Sequence, residues 1–457
     1  MSVRSPLART RRNAELALGL LAAAITVTGY LLVALSETDE LPADLGGLCV
    51  GILGVFAIAH LAVRRFAPRA DATLLPLAVL LNGIGFFTIT RLDGDRREGV
   101  SALAPVQAIW TLVAVGAFVA VLVLIQRTAM LQRYRYSFLL LGIIALLAPL
   151  APGIGKEVNG ARLWVEIGPL NFQPGEAAKV LLVVFFAAYL VEKRELLALG
   201  SRRVGRMFLP DPKHLGPLLL AWGLSIIVMV MQKDLGSSLL FFALFAAMLY
   251  MATERAAYLL GALVLFVGGA TIAYQLFAHV QTRVSTWLDP WADAHDDGFQ
   301  LVQSLFAFGT GGFAGTGLGL GSPEKIPAAA TDFVFAAIGE ELGLLGTVAV
   351  MTAFLLLVGS GFRIAVQAQR PFSKLFAGGL TTILGVQTFV IIGGVTRLIP
   401  LTGVTLPFIS YGGSSLVANF IIVALLLRIS DETAAEAESA RPTGRAVPAT
   451  AGQRAGS

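Results

Sequence analysis

Apolar runs of roughly twenty residues recur along this chain, separated by shorter polar stretches. At about 1.5 Å of rise per residue, a helical run of that length crosses a bilayer core about 30 Å thick. The pattern predicts about twelve transmembrane helices, at 14–35, 45–63, 73–90, 104–125, 137–152, 176–191, 216–232, 237–252, 256–279, 334–361, 375–396 and 404–427. The fold class expected is therefore an all-α polytopic membrane protein. No repeat of a size that would mark a solenoid or propeller interrupts the pattern.

Basic residues test the count, because Lys and Arg collect in the cytoplasmic loops of membrane proteins. Arg4, Arg9, Arg11 and Arg12 precede the first span, and Arg64, Arg65 and Arg69 follow the second. Arg127, Arg133 and Arg135 follow the fourth, and Lys193, Arg194, Arg202, Arg203, Arg206 and Lys213 follow the sixth. Arg255, then Arg363, Arg370 and Lys374, continue the alternation after the eighth and tenth. Every cluster falls on the side of the N-terminus, so both termini are expected in the cytoplasm. The opposite loops include the acidic "SETDELPAD" (36–44) and two long Gly- and Pro-rich segments, 153–175 and 280–333. Residues 1–13 read as a cytoplasmic tail, and the Ala-, Pro- and Ser-rich residues 430–457 as a disordered one.

Composition narrows the class further. The chain is 56% hydrophobic and only 14% charged, which no soluble fold of this length would tolerate on its surface. The lone Cys49 excludes an internal disulfide and a cysteine metal cluster, and reads as a packed small side chain. The first span lacks a small-residue cleavage site and is read as a retained anchor. A net charge of +5 here sets membrane orientation, and no nucleic-acid-binding motif competes with that explanation.

Against this background "TWLDPWADAHDDGFQLVQS" (286–304) is out of character, gathering Asp289, Asp293, Asp296, Asp297 and His295. It is either a solvated loop or a site that needs a carboxylate. Asn82, Gln107, Lys179 and Asp234 fall at or near membrane depth, where polar groups pair with one another or line a cavity. Lys179 follows Glu176 by three positions, which fits a helical ion pair as well as a substrate contact. "GTGGFAGTGLGLG" (309–321) contains a formal dinucleotide-binding match, rejected because no βαβ unit surrounds it; a re-entrant loop is expected instead, with backbone amides that suit a phosphate. Asp332, Glu340 and Glu341 near the start of the tenth span either support the helix end or line a site. In "LIPLTGVTLPFISYGGSSL" (398–416), Pro400 and Pro407 break a helix, and irregular backbone at membrane depth is tolerated where it lines a cavity. No Ser-His-Asp spacing is present, and the four histidines form no metal-ligand pattern.

Taken in order, "NGARLWVEIGPLNFQPGEAAK", "QKDLGSSLL", "DPWADAHDDGFQLVQSLFAFGTGGFAGTGLG", "TDFVFAAIGEELG" and "PLTGVTLPFISYGGSSL" resemble the SEDS family of RodA, FtsW and SpoVE proteins. The resemblance runs from about Leu74 to Arg428 and is nearest to the RodA branch of actinobacteria. It implies a core of about ten helices, over residues 73–429, to which the two spans in 14–72 are additions, with a large extracellular loop at 280–333.

The resemblance also implies a peptidoglycan glycosyltransferase that polymerises lipid II at the outer face of the cytoplasmic membrane, for cell-wall elongation and shape. The partner implied is a class B penicillin-binding protein; lipid II, the nascent glycan strand and membrane lipids are the other partners. The family's required aspartate stands in a Pro-Trp-x-Asp context, matched here by Pro290-Trp291-Ala292-Asp293. Ala294 stands where the family often has proline, and Asp289 is the alternative if the register shifts. Asp293 is thus the expected general base. Arg162, Trp164, Gln173, Glu176, Lys179, Lys325, Asp332, Glu340, Ser414 and Ser415 are the expected substrate-binding residues. The leaving pyrophosphate needs cations: Arg91, Lys156, Arg162, Lys233, Arg283 and Lys325 are candidates, with Arg162 and Lys325 preferred. No cofactor is certain, and a divalent cation (Mg or Mn) with unassigned ligands is the one considered. A lipid II flippase would carry midplane polar groups in inverted repeats, and a non-catalytic scaffold would not need the acidic loop.

Overall fold

The computed structural model describes residues 6–38, 45–94, 102–158, 161–167, 170–198, 202–204, 207–209 and 212–440. Fifteen α-helices are found there, and the first four are α1 (Pro6–Thr38), α2 (Leu45–Phe66), α3 (Leu74–Gly94) and α4 (Leu103–Leu124). Next come α5 (Ala129–Arg133), α6 (Arg135–Leu147), α7 (Pro174–Ala198), α8 (Pro212–Met231), α9 (Leu235–Thr253) and α10 (Ala256–Leu276). α11 (Ala278–Leu288), α12 (Phe299–Gly311), α13 (Val334–Gln367), α14 (Pro371–Val395) and α15 (Gly413–Ser439) complete the series. Among the described residues ten helices are long and apolar enough to cross a membrane, and two shorter apolar stretches, 135–150 and 219–231, take the places of the fifth and seventh expected spans.

The core forms where small residues let helices approach, since lipid offers no hydrophobic drive for helix association. A methyl on Gly379 of α14 would meet Val183 of α7 at 2.7 Å, and one on Gly413 would enter the Trp110 ring. α7, α14 and α15 are the most enclosed spans, with Phe185, Phe186, Phe376 and Phe420 fully buried. The N-terminal pair docks in the same way: Gly83 of α3 leaves room for Thr26 of α1, and Gly29 for Phe87. At one end of that pair Glu15 binds both Arg12 and, at 2.7 Å, His60 Nδ1, while Arg12 donates onward to the Ala70 carbonyl. All three side chains are buried, so the charges are compensated in place.

Four features differ from the sequence reading. The Gly- and Pro-rich loop 153–175, for which no strands were expected, carries a sheet: β1 (Gly155–Val158), β2 (Ala161–Ile167) and β3 (Leu170–Phe172) pair antiparallel in that order, with Lys156 opposite Trp164 and Glu166 opposite Asn171. Their Val-, Trp- and Ile-bearing sequence, punctuated by Asn159-Gly160 and Gly168-Pro169, is hairpin chemistry. A second hairpin, β4 (Arg202–Val204) with β5 (Met207–Leu209), stands between α7 and α8.

The tails are the second difference. α1 begins at Pro6 inside the expected tail, and α15 runs ten residues past the expected boundary at 430, to Ser439. "DETAAEAES" is rich in helix formers, and its acids have partners: Asp431 accepts from the Arg69 amide at 2.7 Å, Glu438 from Arg69 Nε at 2.7 Å, and Glu432 from the Thr128 amide at 2.6 Å. Third, the twelfth span begins at Gly413 rather than 404, because Pro400 and Pro407 keep 396–412 irregular. Fourth, α13 is interrupted at Gly343 (φ 63°, ψ −162°). Residues 1–5, the acidic loop from 39 to 44 and the tail beyond 440 lie outside the described residues.

Candidate active site

At the end of the bundle opposite Arg12, the expected site residues Glu176, Lys179 and Ser415 join one polar chain, with Gln173 and Ser414 paired beside it. Glu176 and Lys179 lie one helical turn apart in the first turns of α7 and form an ion pair at 2.7 Å. Lys179 Nζ also donates to Gln387 Oε1 of α14 at 2.9 Å, and Gln387 Nε2 donates to the Thr405 carbonyl at 2.8 Å. Thr405 Oγ1 donates to Ser415 Oγ at 2.9 Å, Asn419 Nδ2 donates to the same hydroxyl, and the Gln173 amide donates to Ser414 Oγ at 2.8 Å. Lys179 is 2% exposed and Glu176 4%. A buried charge pair needs its remaining donors and acceptors met; Gln387 does this for Lys179, while Glu176 Oε2 has the ion pair alone among the described residues. Gln387, Thr405 and Asn419 were not expected; the one signal for Gln387 was a lone glutamine in an otherwise apolar span.

The irregular segment 396–412 forms one wall. The Tyr411 amide donates to the Ala330 carbonyl at 2.8 Å, and Ser410 Oγ donates to the Thr331 carbonyl at 2.6 Å. Gly236 at the start of α9 lets that helix meet the segment, where a methyl would lie 2.7 Å from the Thr402 carbonyl. Gly403 takes φ 73°, a glycine conformation. A methyl there would sit 3.6 Å from Asp332 Oδ2 and 3.7 Å from Arg283 Nη2, so acid and base converge over this turn. Burial raises the Asp332 carboxyl to about 6, against the opposing pull of Arg283. Burial likewise lowers Arg283, which donates to the Leu401 carbonyl at 3.0 Å. Asp332 is thus brought to the wall as expected. Arg283, ranked behind Arg162 and Lys325 as a cation, is the better enclosed of the three.

Asp293 stands on the turn between α11 and α12. The frame is rigid on both sides: Trp287 Nε1 donates to the Arg397 carbonyl at 3.2 Å, and Arg397 Nε donates back to the Trp287 carbonyl at 2.9 Å. Ser304 of α12 donates to the Val395 carbonyl at 3.1 Å. Within the turn Asp289 Oδ1 accepts from the Trp291 amide, and the Asp293 carbonyl accepts from the Gly298 amide at 3.0 Å. Gly298 is required there, since a methyl would stand 2.2 Å from the Pro290 carbonyl oxygen. Asp289 therefore has a local structural bond, whereas the Asp293 side chain is exposed and without a partner among the described residues. Trp291 is half exposed and meets Phe306 edge-on at 5.5 Å; His295, Asp296 and Asp297 are exposed.

The glycine-rich stretch is not a phosphate cradle. Its amides at Thr316 and Gly317 donate to the carbonyls of Glu340 and Glu341, which the break at Gly343 leaves without helical partners. Glu340 Oε1 accepts from the Ser322 amide at 2.9 Å, and Glu341 pairs with Arg91 Nε at 3.0 Å. Both acids, and Arg91, thus hold this strap to α3 and α13. Lys325 is exposed beside it.

On the sheet, Arg162 pairs with Glu157 at 3.0 Å and Lys156 with Glu166, on exposed strands; among the described residues no hydrogen bond or ion pair joins Arg162 or Trp164 to the polar chain. Among the described residues no three His, Cys, Asp or Glu side chains converge to hold a metal ion.

Known proteins supply the context for this arrangement. Peptidoglycan glycosyltransferase RodA of Mycobacterium tuberculosis (strain ATCC 25618 / H37Rv) is 47% identical over 428 residues, covering 92% of this chain and 91% of its own. The Mycobacterium leprae protein of the same name is 46% identical over 424 residues, with 92% and 90% covered. Among solved structures, a chain of a peptidoglycan synthase complex matches with a TM-score of 0.63 at 26% identity, covering 80% of this chain and 98% of that one. Thermus thermophilus RodA matches with a TM-score of 0.54 at 25% identity, covering 79% and 96%. The family model described as cell cycle protein matches residues 72–435, beginning just before α3 and leaving α1 and α2 outside. The chain belongs to the FtsW, RodA and SpoVE family of cell cycle proteins.

Proposed function

We propose that this protein is a peptidoglycan glycosyltransferase that polymerises lipid II into glycan strands, with the Asp293 end of the bundle facing outward and both termini in the cytoplasm. The observation that carries the reading is an exposed carboxylate on a turn braced by Trp287, Arg397 and Gly298, within the chain's match to named polymerases. The 4-hydroxyl of the acceptor GlcNAc attacks the anomeric carbon of the lipid-linked donor. The new C1–O4 bond forms as the bond to undecaprenyl pyrophosphate breaks, the leaving group takes the electron pair, and Asp293 takes the hydroxyl proton. A positioned base of this kind is worth on the order of 10²–10⁴ in rate. The pyrophosphate leaves as an anion and needs cations in the site; Arg283 and Lys325 are the residues assigned that task.

The proposed partner is a class B penicillin-binding protein that crosslinks the strands, and the process served is cell-wall elongation. Purified protein with that partner and lipid II yields long strands on a gel; Asp293→Ala yields none while migrating as a folded protein in size exclusion. Polymer from Asp293→Ala equal to the parent's overturns the general base. Movement of labelled lipid II between leaflets, with no polymer from the parent, overturns the enzyme in favour of a flippase.

A further inference from the structure

A slot opens in the membrane part of the protein between the added helix α2 and the family core. It is lined from α1, α2, α3 and α4, with Phe420 of α15 as its floor, and its volume is about 190 Å³. That exceeds the roughly 150 Å³ of an apolar cavity that stays dry and takes up benzene.

Its shape follows from where the walls begin and end. On α2 the lining runs from Leu48 to Ala59, on α3 from Phe86 back to Val79, and on α4 from Ala108 to Val115. Leu48, Phe86 and Ala108 all stand toward the Asp293 end of their helices, and Ala59, Val79 and Val115 stand deeper. At about 1.5 Å per residue the walls extend between about 10 and 16 Å along the helix axes, close to half of a bilayer core of about 30 Å. The slot therefore runs the depth of one leaflet.

Its surface is apolar apart from Asn82, whose Oδ1 is buried with no hydrogen-bond partner among the described residues. Thr26 and Thr111 reach it, but each donates its hydroxyl to a carbonyl of its own helix, at Ala22 and Gln107, and so presents its methyl group. Its mouth lies between Gly51 of α2 and Leu112 of α4, both exposed. Nothing stands within 4 Å of a methyl built on Gly51, so this glycine serves no close approach of backbone and keeps the mouth wide. The slot is also held open by its frame: Arg12, Glu15 and His60 fasten one end of the α1–α2 pair, and Gly83 seats Thr26 beside it. A void at this depth forfeits dispersion contacts along its whole lining, and water finds almost no partners in it.

We infer that the slot is a lipid-binding site that takes one hydrocarbon chain from the leaflet on the Asp293 side. The occupant is an acyl chain of a phospholipid, the hydrocarbon that fills that leaflet and matches the slot's depth. Seven of its sixteen lining residues, on α1 and α2, lie outside the family match, and the inference stands independently of the polymerase reading.

The test uses the full-length protein in nanodiscs containing phosphatidylglycerol spin-labelled near the end of one acyl chain. Gly51→Phe, which fills the mouth, loses a motionally restricted component that the parent shows, and Gly51→Leu loses part of it. Leu260→Phe, on the lipid-facing surface of α10, leaves the component unchanged. Unlabelled polyprenyl phosphate at an equal concentration leaves the restricted component in place; its displacement overturns the acyl chain as the occupant. In detergent, added phosphatidylglycerol raises the melting temperature of the parent more than that of Gly51→Phe, by mass action on the folded state. Equal restricted components in the parent and both folded Gly51 variants overturn the inference.

Discussion

Lys179 Nζ donates to Gln387 Oε1 at 2.9 Å, a bond that ties α7 to α14 across 208 positions of chain. The same ammonium is ion-paired to Glu176, so one buried cation holds two helices and one acid. Removing one partner of such a pair leaves an uncompensated charge, which costs about 3–5 kcal/mol. Lys179→Met is expected to lower the melting temperature sharply and reduce the yield of folded protein. Adding Glu176→Gln to it restores part of the loss, because no buried charge then remains. Thermal unfolding of the single and double variants in one detergent checks both outcomes.

The turn that presents Asp293 makes a sharper demand on geometry than on stability. A methyl at residue 298 meets two backbone carbonyl oxygens, of Pro290 at 2.2 Å and Asp293 at 2.7 Å. Gly298→Ala is therefore expected to shift the turn that carries Asp293. A misplacement of about 1 Å in a reacting group costs on the order of 10²-fold in rate. Polymerisation falls by about that factor while the melting temperature stays within a few degrees, measured by strand synthesis and unfolding on the same preparation.

Asp332 gives a pH dependence with a definite sign. Its folded-state value of about 6 lies above the ordinary 3.8, because burial disfavours the charged form. Between those values the folded protein holds the proton more tightly than the unfolded chain, so stability falls as pH rises through that window. Asp332→Asn removes the penalty. Its advantage over the parent opens between pH 4 and 6.5 and levels off above, at on the order of 2 kcal/mol after screening at the rim. Melting temperatures across that range decide it; a constant offset between the two proteins contradicts the assignment.

Asn82 lines the α2–α4 slot with a buried Oδ1 that accepts no hydrogen bond. An orphaned buried acceptor costs about 1–3 kcal/mol. Asn82→Leu is thus expected to raise thermal stability and to strengthen the restricted spin-label component. Unchanged melting together with a weaker component contradicts this.

The helix positions and the acidic loop were legible because they depend on local pattern: apolar length for the spans, and acids crowded into one turn of a chain only 14% charged; Asp293 itself was singled out by the Pro-Trp-x-Asp resemblance. The Glu176–Lys179 pair was legible for the same reason, being one helical turn long. Gln387, Thr405 and Asn419 were not, since nothing local says that a glutamine in α14 will meet a lysine more than two hundred positions away. Arg162 was picked out by its motif; its pairing with Glu157 across the hairpin was not legible, because it depends on the register of β1 against β2. The helical extension to Ser439 was hidden by a composition that favours disorder until Arg69, Thr128 and Arg370 supply partners.

The break in α13 at Gly343 and the strap at 312–322 satisfy each other atom for atom. The strap's amides cap the carbonyls of Glu340 and Glu341, while the Leu344 and Leu345 amides donate back to Gly312 and Phe313. A methyl on Gly343 would strike the Gly315 amide nitrogen at 2.2 Å, and one on Gly315 the Glu341 carbonyl oxygen at the same distance. Neither glycine can be exchanged alone, and neither segment can gain or lose a residue without disturbing the other. The break and the strap therefore stand or fall together: a continuous α13 would turn the Leu344 and Leu345 amides back onto the Glu340 and Glu341 carbonyls and leave the Thr316 and Gly317 amides without acceptors.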